Sequence, residues 1–132
     1  MKILFAYVGF LVSFLAIDSV WISLVVIPLY TQEVGHLMAS ESNAIAAVLF
    51  YLIYAAGALF ICREAMQENS MSGTFLNGAV AGGLAYGTYA FTNFAVLDGW
   101  SWILVVSDVA WGLVITGTAC CVGLLASRMV AK

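Results

Sequence analysis

The sequence predicts an all-α integral membrane protein, a bundle of four transmembrane helices with both termini on the cytoplasmic side. Three observations carry this. Of the 132 residues, 64% are hydrophobic. Only 8% are charged, 4 Lys or Arg against 7 Asp or Glu, where a soluble domain carries about a quarter. The few charges fall almost entirely between long apolar runs. So little charge cannot coat a chain for water, which excludes a soluble globular enzyme and a disordered segment. A formal net charge of −3 with so few basic groups is repelled by phosphate backbones, which excludes a nucleic-acid binder.

A bilayer core takes about 20 predominantly apolar residues in a helix. Ile3 to Ile17 is free of charge, Asp18 interrupts, and the apolar pattern resumes from Ser19 to Leu29. The first span is therefore placed at 3–29, ending at Pro28, the only proline, where a helix can stop without losing interior hydrogen bonds. No small-x-small cleavage site follows this run, so it reads as a span and not as a signal peptide. Ala44 to Cys62 and Gly73 to Leu97 hold no charge, and Gly99 to Ser127 holds only Asp108. These runs set the remaining spans at 43–61, 74–97 and 101–126. One membrane domain uses residues 1–132. The Gly, Ala and Leu content and the absence of period-2 alternation argue against a membrane barrel.

Lys2, Arg63, Arg128 and Lys132 all fall on one side of this arrangement, and the segments Tyr30 to Ser42 and Asp98 to Gly99 contain no Lys or Arg. The positive-inside rule then places both termini in the cytoplasm of a bacterial inner membrane. Trp100 and Trp102 are expected at the outer interface, where amphipathic rings lie.

The three cysteines, Cys62, Cys120 and Cys121, form no C-x-x-C pair, so thiol–disulfide exchange is disfavoured and they read as small packing residues. His36 is the only histidine, which excludes bis-histidine haem ligation within one chain. Glu33 and His36 have the Glu-x-x-His spacing of metal ligands on one helical face, a weak signal as a single copy in a loop. No cofactor and no metal site are expected.

The informative residues are those that hydrocarbon rejects. Asp18 and Asp108 lie within spans, where a carboxylate costs about 2.5–3.5 kcal/mol on insertion scales. Each is followed three residues later by tryptophan, Trp21 and Trp111, on the same helix face. Spans two and three carry a matching pair of tyrosines each, Tyr51 with Tyr54 and Tyr86 with Tyr89, and Asn93 continues the second face. At ~1.5 Å of rise per residue, Asp18 and Asp108 come out roughly 8 and 10 Å below the outer boundary of a ~30 Å core. Tyr51 and Tyr54 fall about 12–17 Å deep, and Tyr86 and Tyr89 about 7–12 Å deep. All four spans thus bring polar groups to one level in the outer half of the membrane. Two carboxylates close together do not both stay ionised cheaply, so one is expected to hold a proton. On span three, Gly78, Gly82, Gly83 and Gly87 form small-residue spacings that let helices approach closely, either within the bundle or in a homo-oligomer or larger complex.

With these residues in hand, the chain resembles the uncharacterised bacterial membrane-protein family called domain of unknown function 2177 over nearly its full length. The resemblance rests on Asp18-Ser-Val-Trp21, Gly35-His36-Leu37, the stretch from Phe50 through Tyr51 and Tyr54 to Gly57, Tyr86-Gly-Thr-Tyr89 with Thr92-Asn93, and Asp108-Val-Ala-Trp111-Gly112. It implies a small four-span inner-membrane protein with no established reaction, and a connection to lipid through the lipid-modifying enzymes beside which members sit. Family members commonly carry an acidic residue directly after the second tyrosine of span three, where this chain has Ala90. If that carboxylate is functional, the activity here is altered or lost. The chain has the size of small multidrug exporters, but those rely on one glutamate near the middle of the first helix, and here two aspartates lie near the outer side.

Three functions follow for the polar set. In the first, Asp18, Trp21, Tyr51, Tyr54, Tyr86, Tyr89, Asn93, Asp108 and Trp111 form a cavity in the outer half that binds a small polar, cationic or lipid-head-group ligand, as a transport or accessory module. In the second, Asp18 and Asp108 are the catalytic acid and base of an intramembrane lipid-modifying enzyme, a reading that lacks a nucleophile, metal or cofactor signature. In the third, the chain is a structural subunit of a larger complex and its polar groups are interhelical glue.

Overall fold

The computed structural model describes residues 1–130, so Lys132, one of the four basic residues that set the orientation, lies outside the described residues. Among the described residues all regular structure is helical. Helix α1 (Lys2–Trp21) runs through a π-helical turn (Ile22–Val26) into α2 (Ile27–Val34) and a closing 3₁₀ turn (Gly35–Leu37). Helices α3 (Ala44–Gln67), α4 (Met71–Val96) and α5 (Trp102–Met129) follow. The continuous first rod of 36 residues, α3 and α5 are long and apolar enough to cross a membrane. Helix α4, at 26 residues, has the length and no charged side chain, but its glycines, tyrosines, threonines and asparagines make it the least apolar of the set.

Pro28 does not end the first helix. It sits in the first turn of α2, directly after the π-helical turn, in which the Ile27 N–H bonds the carbonyl of Ile22. This wider turn has already shifted the ladder, so the N–H that proline lacks falls where the pairing is being reset. The side chain of Asn43 caps α3 by accepting from Ala46 N at 3.0 Å. Ser70 caps α4 by accepting from Gly73 N at 3.1 Å.

Helix α5 packs between α1 and α4, α3 closes the other side of the ring, and α1 and α4 stand diagonally apart without packing on each other. The glycine row on α4 is what lets α5 in so closely. A Cβ on Gly78 would stand 2.9 Å from Cys120 Sγ and 3.0 Å from the Thr116 carbonyl oxygen, and one on Gly83 would stand 2.7 Å from Leu113 Cδ2. One on Gly82 would run into the Gly112 carbonyl and the Thr116 side chain. Only Gly87 is looser, with Val109 Cγ2 at 3.9 Å. The row is therefore occupied within the chain and is not a free face for a second copy or a partner, because the same absence of side chains that would suit a dimer has already admitted α5.

Two apolar clusters hold the bundle. The larger includes Phe10 and Phe14 of α1, Ala55, Leu59 and Cys62 of α3, and Ile115, Ala119 and Cys120 of α5. The smaller gathers Val34, Ala90, Trp100, Leu104 and Val105. Along α5 the first takes Ile115 to Cys120 and the second takes Leu104 and Val105, which leaves Asp108 and Trp111 between them. Trp100 is buried in the bundle, where it makes T-shaped pairs with Tyr30 and Tyr89, centroids 5.6 and 5.8 Å away. Trp102 is 58% exposed. At the end that carries Lys2, Arg63 and Arg128, Arg128 Nε donates to Asn69 Oδ1 at 3.1 Å and its guanidinium to Asn69 O at 2.7 Å. Asn69 makes the α3–α4 turn with φ 55°, a left-handed conformation that asparagine tolerates.

Overpacking a core costs about 1–3 kcal/mol, so Gly82→Ala is expected to lower the melting temperature in detergent clearly. Gly57→Ala, with nothing within 4 Å of the added Cβ, is expected to leave it within error. Circular dichroism melts of the two variants check the pair.

Candidate functional site: a polar cavity between the helices

Between the two apolar clusters lies a cavity of about 590 Å³. It occupies the space between the diagonal helices α1 and α4, with α3 and α5 as side walls. Asp18 and Trp21 enter from α1, and Tyr30 from α2. Helix α3 contributes Phe50 and Tyr51, and α5 contributes Asp108 and Trp111. Helix α4 supplies Tyr86 and Tyr89, with Thr88 and Thr92 beside them.

Each carboxylate is 6% exposed, and their surroundings differ. Asp18 is answered on both oxygens: Trp111 Nε1 donates to Oδ1 at 2.9 Å and the Tyr51 hydroxyl to Oδ2 at 3.2 Å. Its donors come from α5 and α3, so this one side chain ties three helices at one level. Asp108 accepts a short hydrogen bond from the Tyr30 hydroxyl on Oδ2. Among the described residues no hydrogen bond reaches its Oδ1, which is not enclosed by protein either. Among the described residues no Lys, Arg or His lines the cavity.

The tryptophans that follow the two aspartates meet across the bundle. Trp21 and Trp111 stack with centroids 4.2 Å apart and planes at 4°, so the indole that holds Asp18 is itself fixed in a flat pair. On α5, Gly112 makes room for Tyr86, since a Cβ there would come within 2.5 Å of the Tyr86 Cγ. Behind the indole pair an apolar groove of about 430 Å³ runs along α1, lined by Ala16, Val20, Leu24 and both indoles among others.

Residues 3–125 match the family described as "Predicted membrane protein (DUF2177)". The chain belongs to this family. No curated protein and no solved structure matches it. Of the residues on which the sequence resemblance rests, Asp18 and Trp21, Tyr51, Tyr86 and Tyr89, Asp108 and Trp111 line the cavity.

Two residues expected in the set stand elsewhere. The hydroxyl of Tyr54 pairs with Thr116 Oγ1 at 2.8 Å, and its ring packs on Phe10 and Phe14 in the larger apolar cluster. Asn93, one turn beyond Tyr89, is not in the wall. Ala90 is fully buried in the smaller cluster with Val34, Trp100 and Leu104, so an acidic side chain at that position would lie beside apolar groups and not on the cavity wall. Glu33 and His36 have no companion: among the described residues no group of three or more His, Cys, Asp or Glu could hold a metal ion. The cysteines are free; Cys62 and Cys120 are buried and Cys121 is partly buried.

Tyr30 is the residue that sequence reasoning missed. In an unbroken α-helix, 12 residues turn about 120° past whole turns, which would carry Tyr30 away from the face of Asp18. The π-helical turn holds more residues per turn and rotates the chain back, so Asp18, Ile22, Val26 and Tyr30 line one wall. The one signal in the sequence is that the charge-free run continues past Pro28 to Glu33.

A double-mutant cycle on Asp18→Ala and Trp111→Phe is expected to give a coupling of roughly 0.5–1.5 kcal/mol in detergent unfolding. Coupling within error of zero would mean that the indole does not hold this carboxylate.

Proposed function

We propose that this chain is a four-span protein of the bacterial inner membrane, with both termini cytoplasmic, whose outer-half cavity binds a small polar or cationic ligand or a lipid head group. The observation that carries the reading is a pair of carboxylates, each 6% exposed, on the wall of one cavity of about 590 Å³. Intramembrane acids are expensive and mark ligand or ion sites by default. The fourth span is α4. Its outward residues Leu76, Val80, Leu84 and Phe91 are all more than half exposed on the bundle surface, which suits a face turned to hydrocarbon. The orientation follows from Lys2, Arg63 and Arg128 at one end.

A site closed on its inner side supports a binding or accessory role over a channel. Phe10, Phe14 and Ile115 are each 1% exposed and fill the inner half. The structural-subunit reading draws on the hydrogen bonds that join α1, α3 and α5 through Asp18, which glue would also make. The open oxygen of Asp108 favours the binding reading, because a buried network that serves only to rigidify works best when fully satisfied.

Accessibility separates the two. Thr88→Cys, in a background with the native cysteines replaced, is expected to react in intact spheroplasts with a membrane-impermeant thiol reagent added outside. A fluorescent protein fused to the C-terminus should fluoresce. Labelling only from the cytoplasmic side would overturn the orientation, and no labelling from either side would overturn the open cavity.

A further inference from the structure

The chemistry of the cavity wall selects among ligands, given the reading above that the cavity is a ligand site. Its two carboxylates face each other's helices with no basic side chain on the wall, which excludes an anion. Among the described residues no group of three or more His, Cys, Asp or Glu could hold a metal ion, and a hard divalent ion is held mainly by carboxylates, carbonyls and water. Beside its two carboxylates and its hydroxyls, the wall offers aromatic surface. Trp21, Trp111, Tyr30, Tyr51, Tyr86 and Tyr89 surround the acids, and the indoles are fixed face to face at 4.2 Å. Rings around a carboxylate answer a cation whose charge is spread over carbon-bearing substituents, since such an ion is weakly hydrated and is attracted to ring faces.

We propose that the cavity binds an alkylammonium group, with Asp108 as its counter-ion and the tyrosine and tryptophan rings as its cage. The two acids divide the work. Both oxygens of Asp18 are taken by Trp111 and Tyr51, so Asp18 positions the cage. Asp108, 6% exposed, spends one oxygen on Tyr30 and leaves Oδ1 open. That unpartnered acceptor, open to the cavity on a residue otherwise 6% exposed, is where the charge of the ligand is met. The group can reach the site as a free cation or as the head of an amphiphile whose chain would lie in the apolar groove behind the shared indoles.

Tryptophan fluorescence of the full chain in non-ionic detergent provides the test, with tetramethylammonium chloride titrated against potassium chloride, sodium acetate and glycerol. A saturable change is expected with tetramethylammonium alone. Asp108→Asn, which keeps an acceptor for Tyr30, is expected to weaken it at least tenfold. Tyr89→Leu, which removes a ring and touches no carboxylate, is expected to weaken it severalfold and carries the test alone if Asp108→Asn does not fold. Dodecyltrimethylammonium binding at least tenfold tighter than tetramethylammonium, with the same loss in Asp108→Asn, would identify a lipid-like source; equal affinities would identify a free cation. Unchanged affinity in both variants overturns the proposal. Saturable binding of potassium, acetate or glycerol in place of tetramethylammonium overturns the ammonium assignment and leaves the cavity as a site. No saturable response to any of the four, together with an unreactive Thr88→Cys, overturns both.

Discussion

A carboxylate inside an apolar helix bundle must be answered by donors from other helices, and the rest of this structure is arranged around how Asp18 is answered. Trp111 comes from α5 and Tyr51 from α3, so the acid fixes the vertical register of three helices at one point. Individually such bonds are worth about 1 kcal/mol or less between membrane helices, and their weight here is in specificity more than stability. Once Trp111 is held, Trp21 has a flat partner. Below that pair, Tyr54, Phe10 and Phe14 pack on one another in the larger apolar cluster.

Asp108 is handled differently, and the difference comes from backbone. The π-helical turn after Trp21 turns α2 back over the bundle, so that Tyr30 reaches Asp108 and Val34 joins Leu104 and Val105. Turns of this kind inside helices are frequent at functional sites, and here the turn directly follows a cavity residue. The close seating of α5 on the glycines of α4 brings Asp108 and Trp111 to the side of Tyr86 and Tyr89, while the lack of packing between α1 and α4 leaves the space that the polar side chains line.

Much of this was legible in the residues alone. The scarcity of charge gave the helical membrane architecture, and the repeated Asp-x-x-Trp and Tyr-x-x-Tyr spacings gave seven residues that do share one cavity. Helical periodicity was reliable there because those stretches are regular α-helix. It failed where the helix is not regular: Tyr30 was assigned to a loop because Pro28 read as a terminator, and nothing in local propensity marks the π turn that rescues its register. Tyr54 and Asn93 show a second limit. Spacing places a residue on a face, but packing decides whether that face meets a cavity or a core, and Tyr54 found Thr116 and two phenylalanines first. The glycine row had two readings in sequence, and the fit of α5 against it could be known only from the assembled bundle.

The central claim is that Asp108 is held open for a ligand while Asp18 is spent on structure. An experimental density map of the protein in a lipid nanodisc, at a resolution that shows ordered water, tests it most directly. Non-protein density is expected within hydrogen-bonding distance of Asp108 Oδ1, enclosed by Tyr86, Tyr89 and the indole pair. A cavity collapsed by those rings, with a protein donor on Asp108 Oδ1, would contradict it.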